Sequence, residues 1–141
     1  MRYWDSSAIL PLVVNESKSI SMLALIDQDP AMVTWWATKV ECVSALARLE
    51  RANALDVRDM RAALMRLDAL SRGWIEVPAL DDVRMHATRL LRTHVLRAAD
   101  ALQLAAAIIA SNFEPAALHL VSLDTRLADA AEREGFSVSN S

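Results

Sequence analysis

Four acidic residues each lie at or just after a point where a short apolar run gives way to a helical pattern. They are Asp5, Glu41, Asp100 and Asp124. Carboxylates gathered at one end of a sheet offer hard oxygen ligands to Mg²⁺ or Mn²⁺, and these ions activate water and stabilise phosphate oxygens. The pattern therefore predicts metal-dependent cleavage of phosphodiester bonds, the chemistry of a nuclease.

The elements that must position these carboxylates alternate between strands and helices. Runs of β-branched and aromatic residues predict strands over residues 2–4, 31–36, 74–77, 118–122 and 136–138. Apolar residues at helical spacing predict helices over residues 6–14, 18–27, 38–52, 56–71, 80–93, 97–110 and 125–134. Because such alternation favours right-handed crossovers, we predict an α/β fold, with a parallel sheet covered by helices on both faces as a three-layer α/β/α sandwich.

Several residues predict where these helices end or how they pack. Pro11 removes a backbone donor and should kink or shorten the first helix. Gly73 and Gly135 each follow a helical pattern and predict C-terminal caps. The segment 97–110 is apolar on nearly every side, so we expect it to pack centrally.

Each of the four acidic residues also has a purely structural explanation. Asp5 and Asp124 precede helices, where aspartate commonly accepts hydrogen bonds from the first-turn amides. Thr38 and Glu41 fit the spacing of a capping box, and Asp100 in a first turn complements the helix dipole. Their conjunction favours a ligand site, because open α/β sheets bind ligands beyond the carboxyl ends of their strands.

Composition predicts one domain, residues 1–141, with an excess of apolar residues. The apolar fraction is 54%, and no apolar run reaches the roughly 18 residues of a membrane span. We therefore expect the excess to be buried in the core or at a subunit interface, which indicates an oligomer. The absence of a signal-like start and the single cysteine, Cys42, which we expect to be buried, predict a cytoplasmic protein.

Charge limits how the chain could contact nucleic acid. The formal net charge is −3, so any contact with phosphate must be local. Most of the arginines between residues 48 and 97 fit solvated helix faces. Arg97 is the exception, because it lies just before Asp100 and could face a bound phosphate.

Other catalytic patterns are missing from the sequence. The chain has 2 glycines, too few for a phosphate loop or a dinucleotide fingerprint. Its 3 histidines form no zinc-binding pattern, and there is no G-x-S-x-G motif to activate a serine. Metal binding by carboxylates is the chemistry that remains.

Four segments resemble, in order and spacing, the successive motifs of the PIN-domain ribonucleases, specifically the VapC-type toxins of prokaryotic toxin-antitoxin pairs. They are YWDSSAILPLVVNE at the N-terminus, TKVECVSALAR around Glu41, LRAADALQLAAA around Asp100 and VSLDTRLADAAEREGF around Asp124. The resemblance spans nearly the whole chain. It implies a parallel five-stranded sheet in the order 3-2-1-4-5. It also implies metal-dependent endonucleolytic cleavage of RNA by a homodimer that a small DNA-binding antitoxin holds in check.

The resemblance also implies roles for individual residues. The family's acidic positions, which bind Mg²⁺ or Mn²⁺ and carry out catalysis, fall on Asp5, Glu41, Asp100 and Asp124. Its accompanying hydroxyl positions fall on Ser6 and Ser122, which would orient carboxylates or waters, although each serine is equally explained as a turn or cap residue.

Two tryptophans depart from the family pattern, because Trp35 and Trp36 stand where small polar residues are common. Core packing of at least one of the two indoles is the more readily expected arrangement, and the alternative is a face on which a base of the substrate stacks.

Two other functions fit part of the pattern. A catalytically inactive PIN-like binding module would keep the fold and dock a partner. A phosphoacceptor receiver domain would need an aspartate after the third strand and a lysine after the last. The predicted third strand ends in Glu76 and Val77, and the only lysines are Lys18 and Lys39, which disfavours that function.

Overall fold

Strands and helices alternate along the chain, as predicted, in this computed structural model, which describes residues 1–141. The strands are β1 (Arg2–Trp4), β2 (Met32–Trp35), β3 (Ile75–Val77), β4 (His119–Val121) and β5 (Val138–Ser139). The helices are α1 (Ser6–Val13), α2 (Ser19–Gln28), α3 (Thr38–Arg51), α4 (Val57–Gly73), α5 (Asp81–Thr93), α6 (Ala98–Ala110) and α7 (Thr125–Arg133). The bounds differ from the predicted ones by at most two residues, and those of β1 are the same.

All five strands form one parallel sheet in the order β3-β2-β1-β4-β5, as the resemblance implied. β1 lies at the centre, with Arg2 paired to Met32 of β2 and to His119 of β4. The chain builds outward from β1 through β2 to β3, then returns to add β4 and β5 on the other side. The strand order therefore reverses between β1 and β4, where α/β sheets bind their ligands.

Helices cover both faces of the sheet, and strand residues alternate between the two. Tyr3, Val33 and Leu120 belong to a core shared with α5, α6 and α7. Their neighbours Trp4 and Val121 belong to a second core shared with α1, α2, α3 and α4. Because successive side chains of a strand point to opposite faces, this alternation produces the three layers.

Helix α6 packs centrally, as predicted. Its buried side chains include Ala101, Leu104 and Ala105, and it contacts the sheet, α5 and α7. Gln103 is a polar residue buried among them. None of the chain's helices combines the length and apolar character that a membrane span requires.

Two predicted local features are wrong, and one differs in detail. Thr38 and Glu41 do not form a capping box: the N-cap of α3 is Ala37, and the Thr38 hydroxyl accepts a hydrogen bond from the backbone amide of Trp35 at 3.1 Å. Gly73 is the last residue of α4 rather than a left-handed cap. Helix α1 continues for two residues beyond Pro11 and then ends.

Gly135 ends α7 in the left-handed conformation that was predicted for a cap. Its φ is +103°, and its amide donates to the carbonyl of Glu132 at 3.0 Å. A Cβ at this position would meet the Cβ of Pro115 at 3.6 Å, an ordinary contact. The requirement for glycine therefore comes from the backbone conformation and not from lack of space.

The two glycines should respond oppositely to alanine. We expect Gly135→Ala to lower the free energy of unfolding by about 1 to 2 kcal/mol, because alanine resists positive φ. We expect Gly73→Ala to raise it by about 0.4 to 1 kcal/mol, because alanine restricts the unfolded chain and fits a helix. Urea unfolding of both variants beside the wild type measures the difference. Equal effects of the two substitutions would contradict this account.

Candidate active site

The four acidic residues singled out in the sequence line one cavity at the carboxyl edge of the sheet. Asp5 follows β1, Asp124 follows β4, and Glu41 and Asp100 lie in the first turns of α3 and α6. The cavity has a volume of about 750 Å³. Its lining also includes polar and basic side chains, namely Ser6, Ser7, Ser44, Arg48, Arg97, Thr125 and Arg126.

Serine hydroxyls hold the carboxylate of Asp5. Asp5 is only 4% exposed, and it makes no capping hydrogen bond to α1. Its Oδ2 accepts hydrogen bonds from Ser7 and, at 2.7 Å, from Ser122. The single hydroxyl proton of Ser6 can reach its Oδ1 at 3.3 Å or the closer Glu41 Oε2 at 3.0 Å. Burial raises the pKa of Asp5, and the hydrogen bonds from Ser7 and Ser122 act in the opposite direction.

The same serines connect Asp5 to the loop that follows β4. The backbone amide of Leu123 donates to the Ser7 hydroxyl at 2.9 Å, and the amide of Asp124 donates to the Ser122 hydroxyl at 3.1 Å. Each hydroxyl therefore accepts from the loop and donates to the carboxylate. Ser122 is completely buried behind Asp5, which rules out direct contact with a ligand.

Glu41 is oriented by two donors on one of its oxygens. Its Oε2 accepts a hydrogen bond from Gln103 Nε2 at 2.8 Å and from the Ser6 hydroxyl at 3.0 Å. Burial raises the pKa of Glu41, the hydrogen bonds from Gln103 and Ser6 lower it, and the neighbouring Asp5 and Asp100 raise it further.

Asp100 and Asp124 complete the acidic lining from the other side. Burial raises the pKa of Asp100, and the nearby carboxylate of Asp124 raises it further, whereas Arg97 and Arg126 act in the opposite direction. Asp124 also caps α7, because its Oδ1 accepts from the amide of Leu127 at 2.9 Å. The structural explanation thus holds for Asp124 but does not account for its position in the cavity.

Arginines surround the acidic lining without neutralising it through ion pairs. Arg48, Arg97 and Arg126 line the cavity and are exposed, and none forms a salt bridge. Their guanidinium groups are free to contact an anion. Arg97, for which a phosphate contact was predicted, lines the same cavity as Asp100, and so do Arg48 and Arg126, which were not singled out in the sequence.

The donor chemistry of the cavity suits a divalent cation. Four carboxylates face one cavity, and the negative charge of each makes ionisation of the others less favourable. Glu41 Oε1 accepts no hydrogen bond from the protein, so an oxygen is available for a hard cation. In the conformation described, no three His, Cys, Asp or Glu side chains are spaced to hold one metal ion together.

Cys42, Trp35 and Trp36 do not line the acidic cavity. Burial raises the pKa of the Cys42 thiol to about 12, with Asp5 and Glu41 acting in the same direction, so the thiol stays neutral. Trp35 is 6% exposed and packs in the core, whereas Trp36 is 61% exposed. Core packing of at least one tryptophan of the pair, the more readily expected arrangement, is therefore found for Trp35, whereas Trp36 is exposed.

Sequence reasoning missed three polar residues that support the carboxylates. Ser7 bonds Asp5, Gln103 bonds Glu41, and Tyr3 bonds Gln103. Gln103 carried a signal, because it is the one uncharged polar residue in the apolar helix α6 and lies three residues after Asp100. A buried polar side chain needs a hydrogen-bond partner, and a nearby residue of the acidic site was a candidate for that partner.

Solved structures share this fold. FitAcB from Neisseria gonorrhoeae superposes with a TM-score of 0.69 at 19% identity, covering 99% of this chain and 97% of that one. VapC20 of Mycobacterium tuberculosis, a sarcin-ricin loop cleaving toxin, superposes with a TM-score of 0.70 at 17% identity, covering 100% and 98%. PAE2754 from Pyrobaculum aerophilum gives 0.65 at 19% identity, covering 99% and 84%.

Sequence comparison identifies the family. No curated protein matches the chain by sequence. The family model of the PIN domain matches residues 2–133, nearly the whole chain. The match includes all four acidic residues of the cavity and every strand except β5. The chain therefore belongs to the PIN-domain family.

Proposed function

We propose that this protein is a metal-dependent endoribonuclease that acts as the toxin of a toxin-antitoxin pair. The observation that carries the proposal is the convergence of Asp5, Glu41, Asp100 and Asp124 on one cavity from four separate elements. Helix capping accounts only for Asp124. It does not account for Asp5, a carboxyl group that is buried and makes no capping hydrogen bond. The similarity in fold to a toxin that cleaves the sarcin-ricin loop supports the choice of RNA as substrate.

Asp5, Asp100, Asp124 and Glu41 are the residues that would hold Mg²⁺ or Mn²⁺. When bound, such an ion supplies activation of water and neutralisation of charge on the scissile phosphate. The protein contributes orientation: hydrogen bonds from Ser7 and Ser122 fix the Asp5 carboxylate, and those from Ser6 and Gln103 fix Glu41, before any ligand enters. Fixing these oxygens in advance lowers the cost of ordering them during the reaction.

Arg48, Arg97 and Arg126 are suited to hold the RNA backbone beside the acidic cluster. Each lines the cavity, is exposed and lacks an acidic partner. A guanidinium group can donate two parallel hydrogen bonds to a phosphate. Phosphates on either side of the cleaved bond would therefore bind at the rim while the scissile phosphate lies over the carboxylates.

A small antitoxin protein and a second copy of the chain are the proposed protein partners. The helical hairpin of α3 and α4 exposes apolar side chains, among them Val57 at 70% and Met65 at 68%. Clustered exposed apolar side chains commonly mark interfaces. An arginine of the antitoxin that entered the acidic cavity would neutralise it and block the site.

The substitution Asp100→Asn separates a ligand from a helix-dipole residue. Because the folded pKa of Asp100 is raised, the protein loses stability as pH rises from the unfolded pKa to the folded one. Asparagine removes this cost, so we expect a higher melting temperature at neutral pH in EDTA. We also expect a smaller stabilisation by Mn²⁺ and no Mn²⁺-dependent cuts in a mixed RNA pool whose fragment ends are mapped.

Asp82 provides the matched control, because it is an exposed acid in the first turn of α5 that lies outside the cavity. Asp82→Asn should lower the free energy of unfolding by about 0.3 to 1 kcal/mol and leave cleavage unchanged. The proposed site is wrong if Asp100→Asn behaves like Asp82→Asn in EDTA and cuts RNA at the wild-type rate. A wild type that binds Mn²⁺ but cuts nothing would favour an inactive binding module.

Arg97→Gln should weaken RNA binding in a way that depends on salt. The plot of log affinity against log salt has a negative slope, and loss of one phosphate contact should make it shallower by about 0.7 for single-stranded RNA. Binding is measured by titrating labelled RNA into Asp100→Asn protein, with and without Arg97→Gln, at several KCl concentrations. Arg92→Gln is the control, since Arg92 is exposed on α5 and does not line the cavity. Equal slopes for both arginine variants would refute the contact.

The wild-type chain should scatter light as a dimer. At tens of micromolar we expect a mass of about twice 15.6 kDa, or a tightly bound antitoxin when the chain is purified from its native host. Met65→Lys should shift the mass towards the monomer, because a charge in an apolar interface is costly to desolvate. Val95→Lys is the control, since Val95 is 84% exposed and lies outside the hairpin. A monomer without any tight partner would contradict this expectation.

A further inference from the structure

A chain of buried polar groups leads from the sheet to Glu41. Its members are the hydroxyl of Tyr3 on β1, the amide of Gln103 on α6 and the hydroxyl of Thr38 on α3, and all three residues are at most 1% exposed. Gln103 lies in a helix whose other buried residues are apolar. Because an amide is costly to bury, its presence there calls for a physical reason.

The hydrogen bonds of Gln103 fix the direction of its amide. Tyr3 donates from its hydroxyl to Gln103 Oε1 at 2.6 Å. Gln103 Nε2 donates one proton to Glu41 Oε2 at 2.8 Å and the other to the Thr38 hydroxyl at 3.1 Å. A flipped amide would turn its oxygen towards the Glu41 carboxylate and lose these donors. Only one orientation of Gln103 therefore satisfies all of its neighbours.

The result is a difference between the two oxygens of Glu41. Oε2 accepts from both Gln103 and Ser6, at 2.8 and 3.0 Å, whereas Oε1 accepts no hydrogen bond from the protein. Hydrogen bonds thus fix one oxygen of the carboxylate and leave the other free. A side chain as long as glutamate would otherwise sample several rotamers in a cavity of this size.

We propose that Gln103, itself held by Tyr3, is a positioning residue that fixes Glu41 so that Oε1 alone is presented to a divalent cation. This inference rests on the proposed metal-dependent site and assigns a task to two residues that do not line the cavity. Gln103 acts through Glu41 and makes no contact with the cation. Outer partners of this kind commonly change metal affinity or activity by about 10- to 100-fold when removed.

A double-mutant cycle on Mn²⁺ affinity tests the inference. Gln103→Met keeps the length of the side chain and removes its hydrogen bonds, and Glu41→Ala removes the group on which it acts. Calorimetric titration with Mn²⁺ should show a loss of roughly 10- to 100-fold for Gln103→Met in the wild-type background. In the Glu41→Ala background the same substitution should change affinity by less than about twofold, because the interaction is already absent.

Two further variants separate positioning from general damage to the core. Tyr3→Phe removes one oxygen and should weaken Mn²⁺ binding in the same direction, and again only when Glu41 is present. Leu104→Met alters the neighbouring buried position on α6, outside the polar chain, and should leave the affinity within about twofold of wild type. If Gln103→Met does not fold, as judged by circular dichroism, the Tyr3→Phe cycle decides alone.

The possible results distinguish this inference from the proposed function. Wild-type Mn²⁺ affinity in Gln103→Met and Tyr3→Phe, or an equal loss with and without Glu41, would overturn the positioning role while leaving RNA cleavage by the wild type untouched. A wild type that binds Mn²⁺ and shows the coupling but cuts no RNA would overturn the proposed function and keep the inference. A wild type that binds no Mn²⁺ overturns both.

Discussion

The carboxylate of Asp5, buried at the end of the central strand, constrains the architecture around it. A buried ionised group is costly unless hydrogen bonds compensate for the water it has lost. Here the hydroxyls of Ser7 and Ser122 donate to it, and both are in turn fixed by amides of the loop after β4. Strand β1, helix α1 and the β4–α7 loop are therefore held together by hydrogen bonds to one carboxylate. A shift of any of these elements would remove hydrogen-bond partners from that carboxylate.

Hydrogen bonds from side chains consequently hold the carboxylates on one side of the cavity and not those on the other side. Asp5 and Glu41 accept hydrogen bonds from serine hydroxyls and from the Gln103 amide, so their oxygens have defined directions. Asp100 has no side-chain donor of this kind. Burial and the charge of Asp124 raise its pKa, whereas a backbone hydrogen bond from Arg97 and the charges of Arg97 and Arg126 lower it. If a cation binds as proposed, the less constrained carboxylates must move towards it, because no three acids are spaced for one ion in the conformation described.

The sequence predicted the fold and the acidic residues because both depend on local patterns. Alternating strands and helices define a parallel sheet, and carboxylates within a few residues of the ends of β1 and β4 must then lie on the same edge. The supports of those carboxylates were harder to predict. Whether Tyr3 reaches Gln103, which is 100 residues away, depends on the face of the strand and on the packing of α6. The predicted capping box at Thr38 is wrong for a related reason. The Thr38 hydroxyl accepts hydrogen bonds from the backbone amide of Trp35 and the side chain of Gln103, and it does not cap α3.

The distribution of charge explains how a chain with a net charge of −3 could bind a polyanion. Without a cation, the four carboxylates of the cavity repel phosphate and one another. A divalent cation would offset part of that charge, and the unpaired Arg48, Arg97 and Arg126 at the same cavity would then dominate the local field. A divalent cation in the cavity would therefore raise the affinity of the proposed site for phosphate. The acidic composition of the chain and the proposed RNA substrate are therefore compatible, since the cation and the three arginines would attract phosphate at the place where cleavage would occur.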